Sequence, residues 1–294
     1  MAVKVEIIRE VHPSARIASD VKIGSFSVIG PDVTLGPGTV IGRNVTIAGN
    51  TTIGSGNFID DGSVLGVVPQ DLKYRGSPAL LIIGHNNRIG RRVTMHIGTE
   101  PGGFVTRVGD NNVFREGSHM AHDCFVDDGA VIGRSVQLAG HILVQNGAVL
   151  EDMVGVHHFV TIGRYARISS MTPVRRDVPP YTVFGGGNEE APSVRGVNED
   201  GIKTAGLAED ETADLRRALG ELFEDEAALQ TKIEQLVNMG VEGEVAYLCE
   251  FCQQSLQGKF GRYREVYRGL IPPEAAAVLP PEKLSELERI LKIK

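Results

Sequence analysis

Large apolar residues recur at every sixth position through the first 170 residues. One run holds Val11, Ile17, Ile23, Ile29, Leu35, Ile41, Ile47, Ile53, Ile59 and Leu65. A second holds Ile83, Ile89 and Met95, and a third runs from Val108, Phe114 and Met120 through Leu138, Val144, Leu150 and Val156 to Ile168. A period of six is neither the 3.6 of a helix nor the 2 of a single strand, and it is the mark of a stacked β-solenoid. With the large residue as position 1, position 5 is small, β-branched or amide, as at Ser27, Val33, Thr39, Val45, Thr51 and Asn57. Position 2 is often glycine, as at Gly24, Gly36, Gly42 and Gly133, which predicts corners with unusual backbone dihedrals. Two inward positions per hexad describe one flat side, and three sides make a coil of eighteen residues. The repeats therefore predict about eight coils. Segments 66–82 and 96–107 fall out of register and predict loops.

The pattern changes after residue 185. Pro179-Pro180 and Gly185-Gly186-Gly187-Asn188 predict an irregular stretch over about 186–204. From Glu209 the period becomes helical: Leu215, Leu219, Leu222 and Phe223 share one face, as do Leu229, Ile233, Leu236 and Val237. A further helix is expected over 242–257 and a last one over 282–292, after Pro280-Pro281. The predicted fold is mainly β: a solenoid with its following loop over residues 1–204, then a helical C-terminal domain over 205–294 that could cap the open end.

Composition narrows the function classes. A net charge of -7 argues against a general nucleic-acid binder. No run of about 18 apolar residues is present, so no membrane span is expected. The first residues carry charges through their apolar part, unlike a signal peptide. Three cysteines are too few for a disulfide framework. These features together predict a cytoplasmic protein.

Six of the eight histidines lie between residues 96 and 158. If each loop re-enters the solenoid without changing the order of sides, Leu65, Met95, Met120, Leu138 and Val156 stack on one side. His96, His122, His141, His157 and His158 follow directly on that side, and His119 sits at the preceding corner. None occupies an inward position, and the loop with Gln70, Asp71 and Lys73 leaves from the same side. A lone outward histidine is usually just solvated; six beside one of three sides predict a site. A solenoid face is shallow and needs a second wall. A neighbouring copy is the simplest source, which predicts a cyclic homotrimer with sites between subunits.

These residues carry a resemblance. Gln70-Asp71-Leu72-Lys73-Tyr74, Thr94-Met95-His96 with Gly98-Thr99, His119-Met120-Ala121-His122-Asp123-Cys124 and Leu138-Ala139-Gly140-His141 are similar to the UDP-N-acetylglucosamine 3-O-acyltransferases of lipid A synthesis. Asp177-Val178-Pro179-Pro180-Tyr181 and Gly196-Val197-Asn198 extend the match, and residues 263–294 look like an extension beyond the family's usual end. The resemblance implies a left-handed parallel β-helix, acyl carrier protein as the acyl donor, a nucleotide sugar as acceptor, and no metal or organic cofactor. It implies His122 as general base, Asp123 as its orienting carboxylate and Gly140 N–H as an oxyanion donor. Asp71 and Lys73 would hold the acyl hydroxyl and the sugar, and His141 would bind near the acyl group or sugar. Gln70, His96, His119 and His157 would line the cleft, and Asn198 would contact the nucleotide.

The chain also departs from that pattern. Ile202-Lys203-Thr204-Ala205 stands where the family commonly has two arginines, Val156-His157-His158-Phe159 replaces Ile-His-Gln-Phe, and Arg167 with Ser169 and Ser170 lies near the position that limits acyl length. A relative acting on another, or a 3-amino, nucleotide sugar is therefore an alternative. Two further readings are a γ-carbonic-anhydrase-like enzyme with zinc on His119, His122 and His141, and a non-catalytic scaffold. Arg91-Arg92 and Arg175-Arg176 are candidates for attracting an acidic carrier protein, against the plainer reading of exposed solenoid arginines. Cys124, at the small inward position, and Cys249 and Cys252 are expected to be structural.

Overall fold

Residues eighteen apart in sequence lie side by side. Val28 pairs in parallel with Thr46, and Val113 with Val131. The step lengthens to 30 residues across the first loop, where Leu65 pairs with Met95, and to 25 across the second, where Met95 pairs with Met120. Both loops thus rejoin the same order of sides, as the register argument requires. The structure, a computed structural model, describes residues 9–186, 191–224, 229–281 and 285. Among these, the strands form three sheets of nine, eight and ten strands, the three sides of the prism. Most strands span only hexad positions 6 and 1, as in Phe58–Ile59 and Gln137–Leu138.

Position-1 residues such as Ile47, Ile59, Leu65, Met95, Met120 and Leu138 are fully buried, and so are the position-5 residues from Ser27 onward. The polar position-5 side chains bond to backbone at the corners: Ser27 Oγ to Gly42 O, Thr39 Oγ1 to Gly54 O, Ser63 Oγ to Gly90 O. Asn57, Asn87 and Asn112 form a ladder inside the prism. Asn57 Oδ1 accepts from Asn87 N at 2.9 Å, and Asn87 Oδ1 accepts from Asn112 N at 2.8 Å. Small polar residues are tolerated there because the dry interior offers each a backbone partner.

The corners differ from expectation. Except at Gly66, the position-2 glycines do not supply the left-handed turn. Their role is closeness: a Cβ on Gly24 would lie 2.4 Å from Gly42 O, and one on Gly133 2.5 Å from Glu151 C. The left-handed residue is at position 4, and side chains often fill it: Asn44 (φ 53°), Asn111 (φ 58°), Asp123 (φ 58°), His141 (φ 65°) and Phe159 (φ 64°).

The solenoid outlasts the hexad count. Val174 and Phe184 continue two of the sheets. The irregular stretch expected over 186–204 is instead partly ordered. Ser193–Val197 pairs antiparallel with Thr182–Gly185, and Glu199–Ala205 forms helix α1, because the strand edge left by the last coil offers unpaired backbone groups. Helices α2 (Glu209–Phe223), α3 (Leu229–Asn238) and α4 (Gly243–Gln257) follow the helical period closely. They share an apolar cluster of Leu215, Leu219, Leu222, Ile233, Leu236, Leu248, Cys249 and Cys252, although Val237 is exposed. Cys124 is buried too, so all three cysteines are structural in placement. The helices dock beside the last coils. Tyr181 Oη donates to Glu244 at 2.7 Å, Arg164 pairs with Glu244 at 2.7 Å, and Tyr247 Oη donates to Gln145 at 2.7 Å. Among the described residues, Val11 of the first coil is exposed. A short helix α5 (Pro273–Ala276) was not expected. The helix expected over 282–292 lies outside the described residues, apart from position 285. No helix among the described residues is long and apolar enough to cross a membrane.

Candidate active site

Met95, Met120, Leu138 and Val156 stack on one sheet, and the corners after them carry the histidines. Because strand residues alternate direction, the inward anchoring of these four residues directs the corner side chains outward. The result is a cleft of about 590 Å³ whose lining includes Gln70, His119, His122, Gly140, His157 and Arg175.

The most fully hydrogen-bonded pair beside it is His122, which lines the cleft, and Asp123 behind it. His122 Nδ1 lies 2.6 Å from Asp123 Oδ2. The same carboxylate accepts from Thr99 N at 2.8 Å and Thr99 Oγ1 at 2.6 Å, while Asp123 N donates to Thr106 Oγ1. An ionised carboxylate only accepts, so the imidazole proton sits on Nδ1 and the Nε2 lone pair is left for the cleft. Asp71 Oδ2 stands 3.9 Å from that Nε2. Gly140 is closed to any side chain, since a Cβ there would fall 2.6 Å from His122 Cε1.

Burial disfavours the charged form of four other histidines, and two of these are hydrogen-bonded in place. His96 Nδ1 lies 2.7 Å from Val68 O, and His119 Nδ1 lies 2.7 Å from Thr94 Oγ1. Burial lowers the pKa of His96, His119 and His158, with neighbouring imidazoles acting in the same direction. Burial pushes His141 furthest, down to about 4. Its ring stacks on Phe159 at 4.3 Å and meets His122 edge-on at 5.2 Å, with Nδ1 3.9 Å from Asp123 Oδ2. A neutral His141 leaves Asp123 to His122.

This has a measurable consequence. Folded His141 stays neutral to about pH 4, whereas an unfolded imidazole takes a proton near 6.5. Between those values the unfolded state binds more protons, so stability falls as pH drops through the window, by on the order of 3 kcal/mol for this residue. His96, His119 and His158 add in the same direction. The urea midpoint is expected to fall steadily from pH 7 to 4.5, and His141→Gln to flatten part of that slope; a parallel slope in the variant would contradict the assignment.

Several sequence expectations are placed differently. Gly140 N–H is not open to the cleft: it donates to His158 Nδ1 at 3.1 Å, a partner supplied by the histidine that replaces the family's glutamine. Sequence reasoning set His158 beside the site without giving it a role. Asn198 does not line the cleft. It is buried at the start of α1, where its Nδ2 donates to Tyr165 O at 2.7 Å. Lys73 and His157 are exposed. Arg167 lies on another side of the prism, paired with Glu151, which also accepts from Ser170. Arg91 and Arg92 are already paired with Asp60 and Glu116. Arg175, by contrast, lines the cleft and the adjoining cavity with Arg176, Phe260 and Arg262.

Within a single chain His119, His122 and His141 do not come together, and a zinc site between subunits would draw on two copies. Among the described residues, the group whose ligand atoms come within 4.8 Å of one another is His122, Asp123 and His141. There His122 Nδ1 already bonds Asp123, and Thr99 fills the remaining carboxylate positions, so the arrangement is a hydrogen-bonded dyad and not an open ligand set.

Comparison with known proteins agrees with this geometry. Residues 177–260 match the profile described as UDP N-acetylglucosamine O-acyltransferase, domain 2, and residues 14–49 match the bacterial transferase hexapeptide repeat. The chain is 39% identical over 200 residues to an acyl-[acyl-carrier-protein]--UDP-N-acetylglucosamine O-acyltransferase of Gloeothece citriformis, covering 68% of this chain and 71% of that one. It is 44% identical over 213 residues to the protein of the same name from Xylella fastidiosa, covering 72% and 80%. Among solved structures, the UDP-N-acetylglucosamine acyltransferase from Bacteroides fragilis superposes with a TM-score of 0.78 at 30% identity, over 85% of this chain and 96% of that one. That from Francisella novicida gives 0.77 at 30% identity, over 93% and 96%. The solenoid shared with them is the left-handed parallel β-helix, and the chain belongs to the UDP-N-acetylglucosamine O-acyltransferase family.

Proposed function

We infer that the protein moves a 3-hydroxyacyl group from acyl carrier protein to the 3-hydroxyl of UDP-N-acetylglucosamine, the first step of lipid A synthesis. The observation that carries the chemistry is the 2.6 Å His122–Asp123 bond, which leaves Nε2 as the base facing the cleft. His122 takes the hydroxyl proton as the sugar oxygen attacks the thioester carbonyl. The tetrahedral oxyanion collapses, the carbon–sulfur bond breaks, and the imidazolium returns the proton to the departing thiolate. A base within reach typically contributes about 10²–10⁴-fold, and an N–H directed at the oxyanion a further 10²–10³ or so. Direct transfer from a thioester calls on no metal or organic cofactor.

In this reading Asp71, near His122 Nε2, holds a substrate hydroxyl, with Lys73 on the same loop. Gln70, His96, His119, His141 and His157 shape the cleft. The cleft is open to solvent and lined by one loop residue and the solenoid face, and Leu72, two residues after the cleft-lining Gln70, is 98% exposed. Both features support a homotrimer in which a neighbouring copy covers Leu72 and closes the trough. Lys203 and Arg175 are then the groups from which recognition of the nucleotide would be built.

Gly140 N–H becomes available to the oxyanion when the exposed His158 ring turns outward. His158→Ala is therefore expected to leave kcat undiminished or slightly raised in steady-state assays. A fall of tenfold or more would instead make His158 the oxyanion donor. The reading as a whole is tested by acyl transfer from carrier-protein thioesters of several lengths to UDP-N-acetylglucosamine and its 3-amino analogue. Ester formation on the first is expected; amide formation on the second alone would move the chain to the aminosugar reaction, and transfer to neither would refute the assignment.

A further inference from the structure

The segment Arg262–Leu279 begins just past the stretch that matches the family's second domain, and it returns from the helices to the solenoid behind the dyad. Arg264 is 3% exposed. Its Nε donates to the main-chain oxygen of His141 at 3.2 Å, and its Nη1 pairs with Glu274 of α5 at 2.6 Å. Its guanidinium also lies over the rings of Phe125 and Tyr267, each at 5.7 Å. A guanidinium buried this deeply needs such partners, because an unpaired buried charge is strongly destabilising.

Two further contacts aim at the same place. Arg268 sits over the Phe159 ring at 4.4 Å, and the opposite side of the stack is His141, parallel to Phe159 and edge-on to His122. At the other end, Ile271, Pro272 and Ala275 pack on Gly103: a Cβ there would be 3.0 Å from Ala275 Cβ and from Pro272 Cδ. Gly103 closes the short turn Glu100–Gly102, which Thr99 precedes, and Thr99 is the residue that holds Asp123 with two hydrogen bonds. Gly102 lies so close that a Cβ would be 2.0 Å from Asp123 Cγ. Ala275 and Leu279 are buried in the solenoid's own apolar cluster, so the segment is anchored and not merely draped.

We propose that Arg262–Leu279 is a positioning strap that fixes the His122–Asp123 dyad from behind, with Arg264 as its central positioning residue. The strap reaches His141 through main chain and ring, and reaches Asp123 through the Thr99–Gly103 turn. The Arg264–Glu274 pair ties the two arms together. None of its residues lines the cleft apart from the neighbouring cavity that Arg262 borders. Its effect is therefore on dyad geometry and not on substrate contact. Misplacing a reacting group by about 1 Å costs on the order of 10²-fold in rate.

The inference rests on His122 acting as the base, and the test separates the two. In the full-length enzyme, Arg264→Met, Arg264→Lys, Arg268→Ala and His122→Ala are compared for kcat, both KM values, the pH profile of kcat and melting temperature. Arg264→Met is expected to lower kcat tenfold or more with both KM values within about twofold. Arg264→Lys, which keeps the charge for Glu274 but lacks the fork, is expected to restore the melting temperature but not kcat. Arg268→Ala removes a half-exposed side chain that does not threaten folding, and is expected to lower kcat about threefold and to move the acid limb of the pH profile. Unchanged kcat and pH profile in both Arg264→Met and Arg268→Ala would overturn the strap. So would a kcat that rises and falls only with melting temperature across the series. Activity surviving in His122→Ala would overturn the base, whatever the strap variants do.

Discussion

Alanine at His122 is expected to lower kcat by about 10²–10⁴-fold while both KM values stay within a few fold. A sugar hydroxyl is a poor nucleophile, and a carboxylate is a far weaker base than an imidazole, so Asp71, 3.9 Å from His122 Nε2, does not replace the ring. His141 cannot substitute, because its ring is stacked against Phe159 and its proton affinity is depressed to a pKa of about 4. The side chain points out of the solenoid core, so the variant is expected to melt within a few degrees of the parent. Initial rates at saturating donor and acceptor check this. A kcat within twofold of the parent would remove His122 from the mechanism.

Asparagine at Asp123 is the second large effect, and it separates shape from charge. The carboxylate accepts from His122 Nδ1, Thr99 N and Thr99 Oγ1, all in a dry corner. An amide of the same size has one accepting oxygen and one donating nitrogen. If the oxygen serves Thr99, the amide NH₂ faces Nδ1 and drives the proton to Nε2, where the ring can no longer act as a base. A fall of about 10³–10⁴ in kcat is expected from the wrong tautomer alone, the size seen when an orienting aspartate is replaced in a serine-protease triad. If the oxygen serves His122, Thr99 N–H loses its acceptor, at about 1–3 kcal/mol of stability. Kinetics and urea unfolding measured on one preparation distinguish the two, and a variant with neither defect would show that Asp123 does not orient His122.

The solenoid was legible because its information is local. One large and one small inward residue per hexad are enough to fold a side, and counting through the loops placed Met95, Met120, Leu138 and Val156 on one sheet. The histidine row followed from that address. What escaped is what depends on contact across the chain. His158 bonding to Gly140, and Arg264 reaching His141 from more than a hundred residues away, leave no periodic trace. Asn198 had the right motif, but its amide is used in holding α1 to Tyr165. The strand at 193–197 was missed because Gly, Pro and Asn suggested a loop, whereas an open sheet edge recruited it. The glycines were noticed at position 2 and given the wrong reason: they let coils touch, and the turn itself is made two residues later.

That last feature bears on how such an enzyme trades durability against chemistry. The left-handed corner disfavours any residue with a Cβ by roughly 1–2 kcal/mol relative to glycine. Asp123 and His141 both occupy such corners, with φ of 58° and 65°. The solenoid thus holds the orienting carboxylate of the dyad, and the imidazole beside it, at corners where a side chain strains the backbone. Glycine or asparagine relieves that strain at Gly129, Gly147 and Asn111, whereas Arg92, Ser135, Met153 and Tyr165 bear it on other corners. Strain is the toll of holding a carboxylate and an imidazole at the corners of a rod, and at the dyad the two hydrogen bonds from Thr99 to Asp123 offset it.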